Sequence, residues 1–240
     1  ANGLEITISR INAAAKSANR NPSDISLIVV TKTFPRSDAD FLYELGVRDF
    51  GENREQEARA KVEHFAATTT DDYSDIRWHF QGQLQRNKLP SIGSWAHLVH
   101  SVDDKKYLQG LSDSAVRNGR TLECLIQISL DPEYRGDSAA RGGIDLAGAR
   151  ELLTYFQSEQ SAGRLPAIAI TGVMGVAPLA GDPKSAFIEL HKVFHHLKQL
   201  SPAMVKISAG MSGDFIPAIA CGATHIRVGS QILGMRPPHG

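Results

Sequence analysis

Short runs of β-branched and apolar residues alternate along this chain with amphipathic segments of helical length, and no other feature constrains the fold as tightly. Strand interiors favour Val, Ile and Thr. Strands that alternate with helices imply a parallel sheet covered by those helices. The strand-like runs fall at 27–32, 47–50, 77–80, 97–102, 122–130, 167–172, 205–208 and 225–228. Eight such units in 240 residues fit an α/β fold of the (β/α)8 TIM barrel type better than an open doubly wound sheet. No Gly/Ser-rich or Pro-rich linker divides the chain, so residues 1–240 read as a single domain.

Helix signals sharpen this outline. An extra N-terminal helix is expected from Leu4, Ile8, Ile11 and Ala15 on one face, broken by Asn21-Pro22-Ser23. Ser37 offers a cap for a helix with Phe41, Leu42 and Leu45 on its apolar side and Gly46 at its end. Asp103 similarly precedes a helix carrying Tyr107, Leu108 and Leu111. Asp182-Pro183 opens another, with Phe187, Leu190, Phe194 and Leu197 on one side. The glycines within 131–143 predict a mobile loop above the fifth strand.

Composition removes several function classes. Lys plus Arg equals Asp plus Glu at 26 each, so no global charge points to nucleic acid or an anionic membrane. No apolar stretch approaches membrane-spanning length, and the first ten residues lack a signal peptide's apolar core. Cys124 and Cys221 form no CxxC and read as core fillers in a reducing, cytoplasmic setting.

Barrel logic directs attention to the C-terminal ends of the strands, which converge on one mouth. Lys32 closes the first apolar run just before Thr33-Phe34-Pro35. A lysine there either snorkels to solvent or, once desolvated, offers a neutral amine able to form a Schiff base with an aldehyde. The stretch Ser208-Ala209-Gly210-Met211-Ser212-Gly213-Asp214 feeds a helix beginning near Phe215, and Gly229-Ser230 precedes the short segment 231–233. Gly/Ser loops after the last two strands of a barrel suit a phosphate group. Amine plus phosphate loops together suit a phosphorylated aldehyde.

Five ordered motifs carry a resemblance. They are Val30-Thr31-Lys32-Thr33, Phe50-Gly51-Glu52-Asn53-Arg54-Glu55-Gln56-Glu57, Trp78-His79-Phe80-Gln81-Gly82-Gln83-Leu84-Gln85-Arg86-Asn87-Lys88, Ser208-Ala209-Gly210-Met211-Ser212-Gly213-Asp214 and Ile226-Arg227-Val228-Gly229. From about residue 27 to 236 the chain closely resembles the pyridoxal phosphate homeostasis proteins, single-domain relatives of the alanine racemase barrel. The resemblance implies a fold-type III protein holding pyridoxal 5'-phosphate as a Schiff base on Lys32. It also implies Arg227 facing the pyridine nitrogen, Ser212, Gly229 and Ser230 near the phosphate, Asn53 close to the cofactor, and Ser208 and Met211 lining the site. The family usually has a larger residue where Ala209 stands, a Lys-x-Gly-Ile pattern in place of Arg141-Gly142-Gly143-Ile144, and Leu-Met where Val173-Met174 stands.

The resemblance implies a non-catalytic carrier that buffers or delivers the cofactor, with pyridoxal-phosphate-dependent apoenzymes as possible recipients. A monomer is expected, since no dimer stripe is evident. The competing readings are a racemase for small amino acids and a sugar-phosphate isomerase or aldolase barrel. Racemisation needs acid/base groups on both faces of a carbanion. The β-domain that supplies the second group in such racemases is not expected after Gly240, and of Tyr43, Tyr73, Tyr107, Tyr134 and Tyr155 only Tyr134 sits in a loop near the mouth.

Other polar groups have blander readings. His79 either lines the mouth or is a structural histidine beside Trp78. His191 and His195 have an i,i+4 spacing but lack an HExxH partner. Arg86 and Lys88 read as a solvated face. Glu52, Glu55 and Glu57 with Arg54 and Arg59 read as exposed ion pairs. Lys61, Lys105 and Lys106 lie in polar helical stretches and are no candidates for a Schiff base.

Overall fold

Eight strands, β1 Ser26–Val30, β2 Asp49–Glu52, β3 Arg77–Phe80, β4 Leu98–Val102, β5 Leu122–Ile128, β6 Ile168–Gly175, β7 Lys206–Ser208 and β8 His225–Val228, pair in parallel, each with the next, in a computed structural model. The circle closes where β8 pairs with β1, from Ser26↔His225 to Val29↔Val228. The expected (β/α)8 barrel is therefore the fold. The structure describes residues 1–67, 73–131 and 142–234; Tyr134, Arg141 and most of the 131–143 loop lie outside the described residues.

Outside the barrel run α1 Asn2–Ser17, α2 Arg36–Glu44, α3 Glu55–Ala67, α4 Leu89–Trp95, α5 Leu108–Arg117, α6 Leu146–Ser161, α7 Pro183–Leu200, α8 Phe215–Ala220 and the short α9 Ser230–Leu233. Successive strand residues point to opposite faces of a sheet, and here the two faces meet different surroundings. Val29, Phe50, Trp78, Val99, Cys124, Ile207 and Ile226 point outward and share the main core with Ala39, Leu42, Phe65, Leu111, Leu153, Leu190 and Ile219 of the helices. The lumen holds a separate small apolar cluster, Leu98, Leu125 and Met174, on β4, β5 and β6. Much of the remaining lumen is polar. Among the described residues no helix is long and apolar enough to cross a membrane.

Several boundaries differ from expectation for local reasons. In α1 the buried set is Leu4, Thr7, Ile11, Ala14 and Ala15, while Ile8 is exposed. The stripe is shifted by one position, and the Thr7 hydroxyl is satisfied by donating to the Gly3 carbonyl at 2.8 Å. Pro35, not Ser37, precedes the first turn of α2, because its ring-fixed φ of −65° leads directly into the helix. Phe41 and Leu45 are exposed there, leaving Ala39 and Leu42 as the packing face. Asp104 rather than Asp103 caps the next turn, accepting from the Lys106 N–H, while Asp103 accepts from the Gly143 N–H at 3.1 Å. Strand β6 runs on to Gly175 and β5 stops at Ile128, where Ile144 bridges it. The start of α7 is as expected: Asp182 accepts from the Lys184 and Ser185 N–H groups, and Phe187, Leu190, Phe194 and Leu197 are buried.

Candidate functional site

Lys32 lies two residues beyond the end of β1 and lines a cleft of about 260 Å³ at the C-terminal mouth of the barrel. The backbone around it is pinned from below. The Thr31 hydroxyl donates to Glu52 Oε1 at 2.6 Å, and Lys61 Nζ donates both to that same oxygen at 2.5 Å and to the Thr31 carbonyl at 2.7 Å. On the other side Thr33 takes φ 67°, a left-handed conformation that costs a β-branched residue energy. Its N–H donates to Glu57 Oε2 at 2.9 Å, which holds it there.

This clamp corrects the reading of Glu52 and Glu55 as exposed pairs, whereas Glu57 does pair with Arg54 near the surface, at 2.9 Å. Glu52 is fully buried within β2, Glu55 and Lys61 are nearly so, and Glu52 and Lys61 form a buried ion pair. Ala58, Lys61 and Phe65 all lie on the buried face of α3. That i, i+3, i+7 spacing was the sequence signal for Lys61.

The opposite side of the cleft is built by the ends of β7 and β8. Gly210 has φ 91°, and a Cβ there would lie 2.7 Å from Ala218 Cβ, so only glycine lets this loop fold down onto α8. Asp214 Oδ1 accepts from the Met211 N–H at 2.6 Å and ties the loop across its base. The loop then presents Ser212, whose hydroxyl lies 3.2 Å from that of Ser230. Ser212, Gly213, Gly229 and Ser230 all line the cleft. Gly229 is needed for a second reason: a Cβ would sit 2.9 Å from the Val30 carbonyl of β1.

Arg227 forms part of the cleft floor while its side chain is almost wholly buried. Its Nη1 donates to Ser208 Oγ at 2.7 Å and its Nη2 to the Gly175 carbonyl at 3.1 Å. Burial lowers its pKa to about 10, which still leaves a cation at neutral pH.

Lys32, Met211, Ser212, Arg227, Gly229 and Ser230 therefore come together around one cleft. Ser208 does not line it but supports Arg227 from beneath. Asn53 also lies off the lining, its Oδ1 buried without a hydrogen-bond partner. Gln81 does line the cleft, and its Nε2 is likewise buried with no partner. It belonged to a family motif but had no assigned role. His79 sits below the mouth, buried and hydrogen-bonded within the lumen. His191 and His195 bring their Nε2 atoms to 2.8 Å, and among the described residues no three acidic, His or Cys side chains are placed to share a metal ion. Cys124 is buried; Cys221 is only partly so.

Two cationic side chains, paired hydroxyls on glycine-bearing loops, and an unpartnered amide describe a receptor for a small anionic ligand with a further polar group. Residues 9–237 match the family described as alanine racemase, N-terminal domain. A Mycobacterium tuberculosis protein named pyridoxal phosphate homeostasis protein is 38% identical over 240 residues, covering 95% of this chain and 89% of that one. PipY of Synechococcus elongatus PCC7942, solved with PLP bound, is 31% identical with a TM-score of 0.76, over 95% of this chain and 100% of that one. An alanine racemase from Clostridium difficile 630 shares the fold, with a TM-score of 0.62 at 13% identity, over 96% of this chain and 57% of that one.

Proposed function

The chain belongs to the pyridoxal phosphate homeostasis proteins within the alanine racemase N-terminal-domain family, and on that premise we propose that it binds pyridoxal 5'-phosphate for intracellular buffering or delivery. The observation that carries this reading is the convergence of Lys32, Arg227 and the Ser212–Ser230 pair on a single cleft. The residues fit the cofactor. Gln81 Nε2, buried in the lining without a partner, is a donor awaiting an acceptor.

When bound, pyridoxal phosphate supplies an aldehyde carbonyl that condenses reversibly with a primary amine, and a ring that can draw electron density. Lys32 is the amine, and the Glu52–Lys61–Thr31 clamp keeps its backbone in place. Ser212 and Ser230 would donate hydrogen bonds to the phosphate, and Gly213 and Gly229 would leave room for it. Met211, on the cleft lining, would border the ring, with Asn53 and Ser208 set behind the lining. Arg227, on the cleft lining, would face the pyridine nitrogen. A guanidinium can only donate, so it keeps that nitrogen unprotonated and weakens the ring as an electron sink. This favours holding the cofactor over reacting through it. The protein is accordingly a carrier in the cytoplasm, working as a single domain and a monomer, with apoenzymes that need pyridoxal phosphate as recipients.

Purified protein mixed with pyridoxal phosphate should gain the long-wavelength absorbance of a Schiff base. Borohydride should then fix the adduct to Lys32, located by peptide mass spectrometry, and Lys32→Ala should abolish it. An adduct retained on Lys32→Ala would move the site elsewhere. Turnover of alanine or serine enantiomers well above background would defeat the carrier reading.

A further inference from the structure

The bond between Ser208 and His100 joins β7 to β4, strands that are not neighbours, so it crosses the lumen. It is one link in a buried chain. Arg227 Nη1 donates to Ser208 Oγ at 2.7 Å, and Ser208 Oγ lies 2.9 Å from His100 Nδ1. His100 Nε2 lies 3.0 Å from His79 Nδ1, and His79 Nε2 lies 2.9 Å from Asp49 Oδ1. Asp49 is gripped at both oxygens by Arg77, at 2.8 and 2.6 Å, and the Arg77 side chain reaches solvent at the barrel floor. Ser208, His79 and His100 are almost completely buried, as is Arg227.

Proton counting settles the polarity of this chain. The Asp49 carboxylate accepts only, so His79 Nε2 carries a proton. Burial keeps both imidazoles neutral by pushing their pKa values down, so each ring has one N–H. His79 Nδ1 is then bare and accepts from His100 Nε2–H. His100 Nδ1 is bare in turn and accepts the Ser208 hydroxyl proton. The lone pairs of Ser208 Oγ remain for Arg227, which can only donate. From Arg227 to Asp49 every proton points from mouth to floor.

We propose that His100 and His79 are positioning residues of the ligand cleft: they relay the Asp49 carboxylate at the barrel floor to Ser208, and so hold the Arg227 guanidinium as a fixed donor toward the bound ring. The proposal rests on the reading of the cleft as a pyridoxal phosphate site. Oriented hydrogen bonds in series place negative potential at Ser208 Oγ, where a buried guanidinium needs it. Among the described residues no carboxylate bonds Arg227 directly; Asp214 acts on it only through space.

Acid breaks the relay. A proton added to His100 Nδ1 or His79 Nδ1 turns an acceptor into a donor and adds a cation to the lumen. Among the described residues the other charged or titratable groups around it are His97 on the approach to β4, Glu123 of β5, Lys206 of β7 and His225 of β8. Lys206 is paired with Glu123, which also accepts from Thr171, and His225 is bonded to Thr224. None of these offers a free carboxylate to absorb the new charge. Ligand affinity should therefore weaken as pH falls.

Nitrogen-15 NMR of the ligand-free protein at neutral pH tests the relay without any cofactor. Both rings, assigned with His79→Gln and His100→Gln, should be neutral with the proton on Nε2; a proton on Nδ1 of either ring overturns the proposal. Pyridoxal phosphate titrations followed by absorbance supply the second arm. His100→Leu should weaken binding about tenfold, the effect of one lost hydrogen bond, and shift the bound spectrum. His100→Gln accepts through its oxygen and donates through its nitrogen, and should restore both. Wild-type behaviour in His100→Leu, or no rescue by His100→Gln, sinks the positioning role. If His100→Leu fails to fold, the Asp49→Asn variant takes its place, with weaker binding expected and unchanged binding overturning the proposal. A wild-type protein that takes up no pyridoxal phosphate removes the reading of the cleft, and the tautomers then decide the relay by themselves.

Discussion

Arg227 is a buried cation whose donors are spent on Ser208 and the Gly175 carbonyl, leaving the rest of its planar fork for the cleft. Replacing it with alanine removes the donor proposed for the ligand and leaves Ser208 Oγ and the Gly175 carbonyl without it. Arg227→Ala should weaken pyridoxal phosphate binding by about tenfold or more and destabilise the fold by about 1–3 kcal/mol. Absorbance titration and urea denaturation measure the two effects separately, and an unchanged cofactor spectrum would remove the residue from the site. Lys32 was legible at this scale from an unusual placement, a lysine ending an apolar run. Gln81 was not, because nothing about a glutamine in sequence says that its amide will be buried without a partner.

The meeting of β1, β2 and α3 depends on one buried ion pair. Lys61 and the Thr31 hydroxyl both donate to Glu52 Oε1, and Lys61 also reaches the Thr31 carbonyl, the backbone that immediately precedes Lys32, while Glu52 Oε2 is buried without a partner. Removing one member of a buried pair leaves an uncompensated charge, at a cost of about 3–5 kcal/mol. Lys61→Met alone should cost about that much in urea unfolding. The double variant Lys61→Met with Glu52→Leu should be more stable than Lys61→Met, because an apolar pair needs no partner. A double variant no better than the single would show that the ion pair is not what holds these elements together. Sequence reasoning put these residues on the surface because charged side chains usually lie there. The 3.6-residue period of α3 carried the contrary signal, one Lys among Ala58 and Phe65 on the packed face.

At the scale of the molecule the polar lumen governs acid stability. Burial pushes His97 down to about 4, aided by Arg120, and His225 down to about 3; His79 and His100 are lowered by burial as well. The unfolded chain protonates these rings near pH 6.5, where the folded protein refuses the protons. The unfolded state thus binds more protons, and stability rises with pH. The histidine contribution is complete above about pH 6.5 and is lost as pH falls toward the folded values. Asp49 acts later. Burial opposes its ionisation, but hydrogen bonds from Arg77 and His79 outweigh that and hold it well below the carboxylate range. Its share disappears only below about pH 4. Urea midpoints should therefore fall between pH 7 and pH 5, with more than one proton taken up and a slope steeper than about 1.4 kcal/mol per pH unit. A flat profile over that interval would contradict neutral, buried histidines.

The amino-acid sequence by itself determined the alternation of strand and helix, the placing of Lys32 at a strand end, and the two glycine-bearing loops at Gly210 and Gly229. These depend on periodicity, propensity and backbone freedom, which act over a few residues. Only the tertiary structure decided which polar side chains meet across the lumen. Ser208 and His100 are 108 residues apart in the chain, and no local rule couples them. They are joined because closing the barrel brings β7 across the lumen from β4, and a buried hydroxyl must then share its proton with whatever acceptor faces it.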